Sequence, residues 1–241
     1  MKQIITICMS FLAWALPVYA IPMQTYPAPG PGRNANTPRI RNSNLTTGTT
    51  TPLAVSMPSG AQVGDLTVCV VAAENTITTT PTGWTLVHAA SQSYYNQAFE
   101  YKTLTSADIS GGASFPTTIT GGDIIVVCID FSNDGAGYTT GNYASTGNPT
   151  STATSMTAPT LASGGSPQAG DIVIWAAANS ANGTNSLSRG TLLQAGTVGS
   201  ADSLAVYYEV LAPGFSTTVT YYYPGNYNPE GNYSGWMDIS K

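Results

Sequence analysis

Charge is what this chain has least of. Only 8% of its 241 residues are Asp, Glu, Lys or Arg, against roughly 25% in an ordinary soluble domain. The formal net charge of −5 and a sequence pI near 4.5 leave no basic footprint to displace counterions from phosphate, which excludes nucleic acid as a partner. Histidine is nearly missing as well. The single His88 ends a predicted strand with no G-x-S-x-G elbow to accompany it, so a Ser-His-acid hydrolase is excluded. Three cysteines without C-x-x-C or Cys/His spacing exclude a structural zinc site. No stretch carries helical periodicity, and beyond the N-terminus no apolar run is long enough to span a bilayer as a helix.

Thr, Ser, Asn and Gly supply the polarity instead, while 42% hydrophobic residues, 14 Tyr and 4 Trp are too many for a disordered chain. Residues 1–20 read as an export signal: Lys2, an apolar run over 4–16 interrupted by Pro17, then Val18-Tyr19-Ala20 as a small-x-small cleavage site. This predicts a secreted, extracellular or surface location with no membrane span after cleavage. Cys8 leaves with the signal. Cys69 and Cys128 remain, either as a disulfide in an oxidising compartment or as small apolar core residues. Residues 21–50 are rich in Pro, Gly and Asn and read as an extended N-terminal arm, a solvated linker or a segment that adds to a neighbour's sheet edge.

From residue 51 the pattern is short strand, turn, short strand, with candidates at 53–57, 66–72, 85–89, 97–104, 117–120 and 124–131. The second half returns this order after about 107 residues. Gln62-Val63-Gly64-Asp65 comes back as Gln168-Ala169-Gly170-Asp171, and Gly83-Trp84-Thr85-Leu86 as Gly190-Thr191-Leu192-Leu193 with the tryptophan lost. Ala98 to Tyr101 matches Ala205 to Tyr208, Phe115 to Thr120 matches Phe215 to Thr220, and Ile129-Asp130-Phe131-Ser132 matches Met237-Asp238-Ile239-Ser240. These collinear matches predict an all-β chain, an antiparallel β-sandwich of jelly-roll or Ig-like type built by internal duplication. Residues 51–132 form the first sandwich repeat, 133–157 a linker or long loop, and 158–241 the second. The unit length favours two tandem modules over two halves of one larger sandwich.

The succession of Pro58-Ser59-Gly60, Gly64-Asp65 with its hydrophobic strand, Pro81-Thr82-Gly83-Trp84-Thr85, Phe99-Glu100-Tyr101-Lys102 and the late Gly235-Trp236-Met237 resembles a widespread group of bacteriophage structural proteins that are tail- or virion-associated. The resemblance runs from about residue 37 to the C-terminus. It implies a β-sandwich virion component and transfers no catalytic residue.

The chemistry-bearing residues agree with a non-enzyme. Glu74, Glu100, Asp123, Asp130, Glu209 and Asp238 include no pair that a motif fixes across a cleft. Asp65 and Asp171 stand at the same strand entrance in both halves, the signature of a turn cap that accepts backbone amides. Asp130, Ser132 and Asp134 open like a calcium loop, D-x-S-x-D-G, but Gly141 stands where the acidic twelfth ligand belongs. Calcium is therefore the only cofactor candidate. Tyr221, Tyr222, Tyr223, Tyr227 and Tyr233 are candidate contacts for a glycan or a partner protein. The expectation is a non-enzymatic structural protein that assembles with itself, or with other virion or surface proteins, into a larger particle. A secreted polysaccharide-binding or adhesive module, and a fibre subunit joined by strand addition through the arm, are the alternatives.

Overall fold

Strands β3 (Leu66–Ala73), β7 (Ile124–Phe131) and β10 (Ile172–Asn179) are buried along their whole length. Their near-continuous apolar runs are explained by cover on both faces. The structure, a computed structural model, describes residues 38–74, 77, 79–91, 96–116, 122–133, 138–148, 155–161, 167–179, 185–199, 202–223 and 232–240.

With β1 (Ile40–Gly48), β4 (Thr85–Ser91) and β5 (Asn96–Thr103), the first half makes a five-stranded antiparallel sheet in the order β1-β7-β3-β5-β4. The second half makes another from β8 (Thr139–Asn148), β10, β12 (Thr191–Val198), β13 (Asp202–Val210) and β15 (Asn232–Ser240), in the order β8-β15-β10-β13-β12. Taken along the chain, the two sheets are wired alike. Each is also backed by a small sheet, β2 (Leu53–Val55) with β6 (Ala113–Phe115) in the first half, and β9 (Ser155–Thr157), β14 (Thr220–Tyr222) and β11 (Ser186–Leu187) in the second.

Strand alternation divides the apolar residues among three cores. Val68, Val70, Phe99, Val127 and Ile129 of the first large sheet meet Ile174, Ala176, Leu204, Val206 and Met237 of the second in a shared central core. On the outer face of the first sheet Cys69, Val71, Val126 and Cys128 lie under Val55, Ile77, Trp84 and Phe115. On the outer face of the second, Val173, Trp175, Tyr207 and Trp236 lie under Val219, Tyr221 and Tyr223. Asn34–Lys241 form one compact unit, an all-β sandwich. The two large sheets face each other, and each half keeps an outer core of its own. The expectation of two separate modules is thereby corrected, because the faces of β3 and β10 opposite their outer cores are too apolar to be left wet.

Two assignments shift for the same reason. Residues 40–48, read as part of the arm, pair with β7 from Ile40↔Phe131 to Gly48↔Ile124. Residues 139–148, read as linker, pair with β15. Both are polar outer strands, IRNSNLTTG and TTGNYASTGN, which hydropathy does not distinguish from loops. The predicted strand at 117–120 lies outside the described residues. The short α1 (Ser106–Gly111) is too brief to show a period. Its signal was local: the Asp108 carboxylate reaches back to accept from the Thr105 N–H (2.8 Å) and hydroxyl (2.6 Å), as the N3 acid of a capping box does toward its N-cap.

All four outer strand pairs carry a register shift, at Ile40/Asn42, Leu86/His88, Leu192/Gln194 and Met237/Ile239. The four central pairs run without one. Bulges at sheet edges twist the free backbone groups out of a flat template and oppose pairing with another chain.

Candidate functional site

The two strand-entry turns are near copies. Gln62 N–H donates to Asp65 Oδ2 (2.8 Å) and Gln168 N–H to Asp171 Oδ2 (2.6 Å). Gly64 and Gly170, at φ +91° and +100°, donate to Leu104 and Leu211 at 2.9 and 2.8 Å. Asp65 and Asp171 are turn caps, as their repeated position implied. Positive φ at both glycines keeps side chains out of the turn.

In the first half the cap is also part of an ion cluster. Arg41 binds Asp65 through Nε (3.1 Å) and Nη2 (3.3 Å), and its Nε lies 3.3 Å from Asp130 Oδ2. Thr67 Oγ1 donates to Asp130 Oδ1 at 3.0 Å. Burial raises the Asp65 pKa, but N–H donors from Asn133 and Gln62 and the Arg41 side chain outweigh it and hold the carboxyl below its ordinary range. Burial, with the charge of Asp65 beside it, pushes Asp130 up to about 7 against the opposing effects of Thr67 and Arg41. The calcium reading is corrected at Asp130, which is fully buried on a strand and engaged with Arg41 and Thr67. Ser132 is also buried, its carbonyl accepting from Tyr138. Asp134 lies outside the described residues.

Cys69 and Cys128 are directly opposite on β3 and β7 and form a disulfide. The corresponding pair on β10 and β15 is Trp175 and Trp236, with ring centroids 6.4 Å apart. Beside the disulfide, Glu100 sits opposite Cys69 and is 1% exposed. Its Oε2 has no hydrogen-bond partner among the described residues, and burial pushes its pKa up to about 8.

The tyrosine reading needs correction. Tyr221 and Tyr223 belong to the outer core of the second half, and Tyr221 donates its hydroxyl to the Gly235 carbonyl at 3.0 Å. Tyr221 pairs with Met156 on β9 as Phe115 pairs with Leu53 on β2. It therefore fills the place that sequence matching gave to Phe215. Tyr222 points the other way and is 48% exposed. Tyr227 and the Tyr233 side chain lie outside the described residues. Tyr221→Phe is expected to cost about 1 kcal/mol through the lost hydrogen bond, and Tyr222→Ser less than about 0.5 kcal/mol as a surface change. Chemical denaturation of each variant reads both values.

Two arrangements escaped sequence reasoning because they join distant segments. Glu74, Asp123 and Asp202 bring carboxylate oxygens within 4.8 Å of one another. Burial and the neighbouring Glu74 raise the Asp123 pKa. This all-oxygen donor set has the chemistry of a hard divalent cation's ligands. The other is a cavity of about 340 Å³ on the outer side of the first half, lined by Thr80, Pro81, Thr82, Trp84, Asp108 and Ser114 among others. Trp84 is 7% exposed and packs edge-on to Phe115 with centroids 5.5 Å apart. Lys102 joins the two walls: its Nζ lies 2.7 Å from Asp108 Oδ1 and donates to the Thr82 carbonyl at 3.4 Å.

Comparison with protein families, with curated proteins and with solved structures finds no match to this chain.

Proposed function

We propose that this chain is a non-enzymatic structural protein of an extracellular surface or a virion, similar in kind to the tail- and virion-associated phage proteins, and that it assembles with its own copies or with other surface proteins. The observation that carries this reading is the use made of the charged side chains. In a chain with so few charges, Arg41 with Asp65 and Asp130, Lys102 with Asp108, and Arg189 with Glu209 (2.6 Å) each tie one strand or turn to another. Charge is placed to stiffen the body. The export-type N-terminus and the disulfide fit an oxidising compartment.

The two sheets are best understood as products of a duplication. Their common strand order, matching caps and matching positive-φ glycines at Gly64/Gly170 and Gly83/Gly190 support that origin. The bulged outer strands favour assembly through faces and loops over strand addition.

Electron microscopy and light scattering on the full chain, produced by secretion, test the assembly reading. Particles, fibres or a defined oligomer are the expected result. A strict monomer that does not enter particles with the products of neighbouring genes would overturn it.

A further inference from the structure

We propose that the cavity between the 80–84 turn and the α1–β6 segment is a binding site for a neutral saccharide. The cavity of about 340 Å³ stands at the small end of the range for ligand pockets, roughly 300–1,000 Å³, and suits a small polyhydroxylated ring. Its wall combines what such a ring needs: apolar edges from the largely buried Trp84 and Pro81, hydroxyls from Thr80, Thr82 and Ser114, and the Asp108 carboxylate as an acceptor.

The charge arrangement selects a neutral ligand. Asp108 is paired with Lys102 and hydrogen-bonded to Thr105, and these contacts, against its burial, hold its carboxyl below the ordinary range. The carboxylate is thus already neutralised by Lys102, so an ionic ligand would meet no unbalanced charge, while sugar hydroxyls can still donate to the remaining lone pairs.

The walls are set before any ligand arrives. Lys102 bridges them, Thr80 Oγ1 donates to the Trp84 carbonyl at 3.3 Å, and Gly112 stands at φ +69° where a Cβ would come within 2.3 Å of the Val55 carbonyl. Such pre-organisation lowers the ordering cost of binding.

The second half supplies the contrast. At the turn before β12, Arg189 reaches Glu209 through Nε (2.6 Å) and Nη2 (2.7 Å) and the Ser216 carbonyl through Nη1 (2.7 Å). The tryptophan has no counterpart there, since Gly190 leads directly into Thr191, which pairs with Tyr208 as Thr85 pairs with Tyr101. Two similarly wired halves share their caps and central strands and differ here, one filled by a guanidinium and the other holding a cavity.

The test is saturation-transfer NMR and calorimetry on the full chain with glucose, galactose, mannose, N-acetylglucosamine and rhamnose, and with galacturonate as the charged control. The expected result is binding of at least one neutral sugar, weakened at least tenfold in Ser114→Trp and in Thr82→Tyr, which fill the cavity from opposite walls at exposed positions. Two cavity-filling variants guard against one failing to fold. Absence of binding by all the neutral sugars, preference for galacturonate, or binding retained in a folded cavity-filled variant would each overturn the proposal. Particle formation by the same variants is read separately, so this site and the assembly reading fail independently.

Discussion

The Cys69→Ala/Cys128→Ala double variant is expected to lose about 4 kcal/mol of stability. The bond spans 59 residues, and the chain-entropy estimate for a closed loop of that length is about 4 kcal/mol. It joins β3 to β7, two of the strands buried on both faces. The loss should therefore be felt by the whole unit and not by one loop. Because the central core is contributed by both halves, unfolding should remain a single cooperative transition. Guanidinium titration followed by tryptophan fluorescence and by far-ultraviolet circular dichroism measures the effect, and reductant should lower the wild-type midpoint by a similar amount without moving the variant. A shift below about 1 kcal/mol, or fluorescence and dichroism curves that separate, would contradict this account.

Replacing Glu100 with Gln is expected to raise stability by about 3 kcal/mol at pH 7 and by less than about 1 kcal/mol at pH 5. The Glu100 carboxyl moves from an ordinary value of 4.5 to about 8 on folding because burial disfavours the charged form. Between these values the folded protein holds a proton that the unfolded chain has released. Stability contributed by this group is therefore complete below pH 4.5, falls by about 1.4 kcal/mol per pH unit above it, and stops falling above about pH 8. Gln reproduces the neutral shape without the titration. Asp130, raised to about 7, keeps part of the slope in the variant, so the expected outcome is a shallower decline with pH and not a flat line. Denaturation midpoints at pH 5, 6, 7 and 8 test it. Wild-type and variant curves that run parallel across that range would show that Glu100 is not the source.

The same face of the first sheet thus carries a strong covalent tie and, next to it, a costly buried acid. In the second half the corresponding places on β10, β15 and β13 are Trp175, Trp236 and Tyr207. Tyr207 donates to the Asn185 carbonyl at 3.0 Å and Trp236 Nε1 to the Pro159 carbonyl at 3.1 Å. Packing area and hydrogen bonds there do the work that the disulfide does in the first half.

By itself the sequence determined the class of the fold and the positions of its central strands. β7 was predicted to its observed ends, and β3 to within one residue, because runs such as IIVVCIDF and LTVCVVAA have few conformations in which every side chain escapes water. It also determined the caps, since the reach of Asp65 and Asp171 to an amide three residues away is a local matter. Tertiary structure alone decided what depends on distant segments meeting. Whether the halves stood apart or shared a core rested on the second face of β3 and β10. Polar residues 40–48 and 139–148 became strands because an apolar neighbour offered its free edge. The trio of Glu74, Asp123 and Asp202 and the Trp84 cavity draw on segments far apart in the chain. No spacing in one dimension encodes a distance across a sandwich.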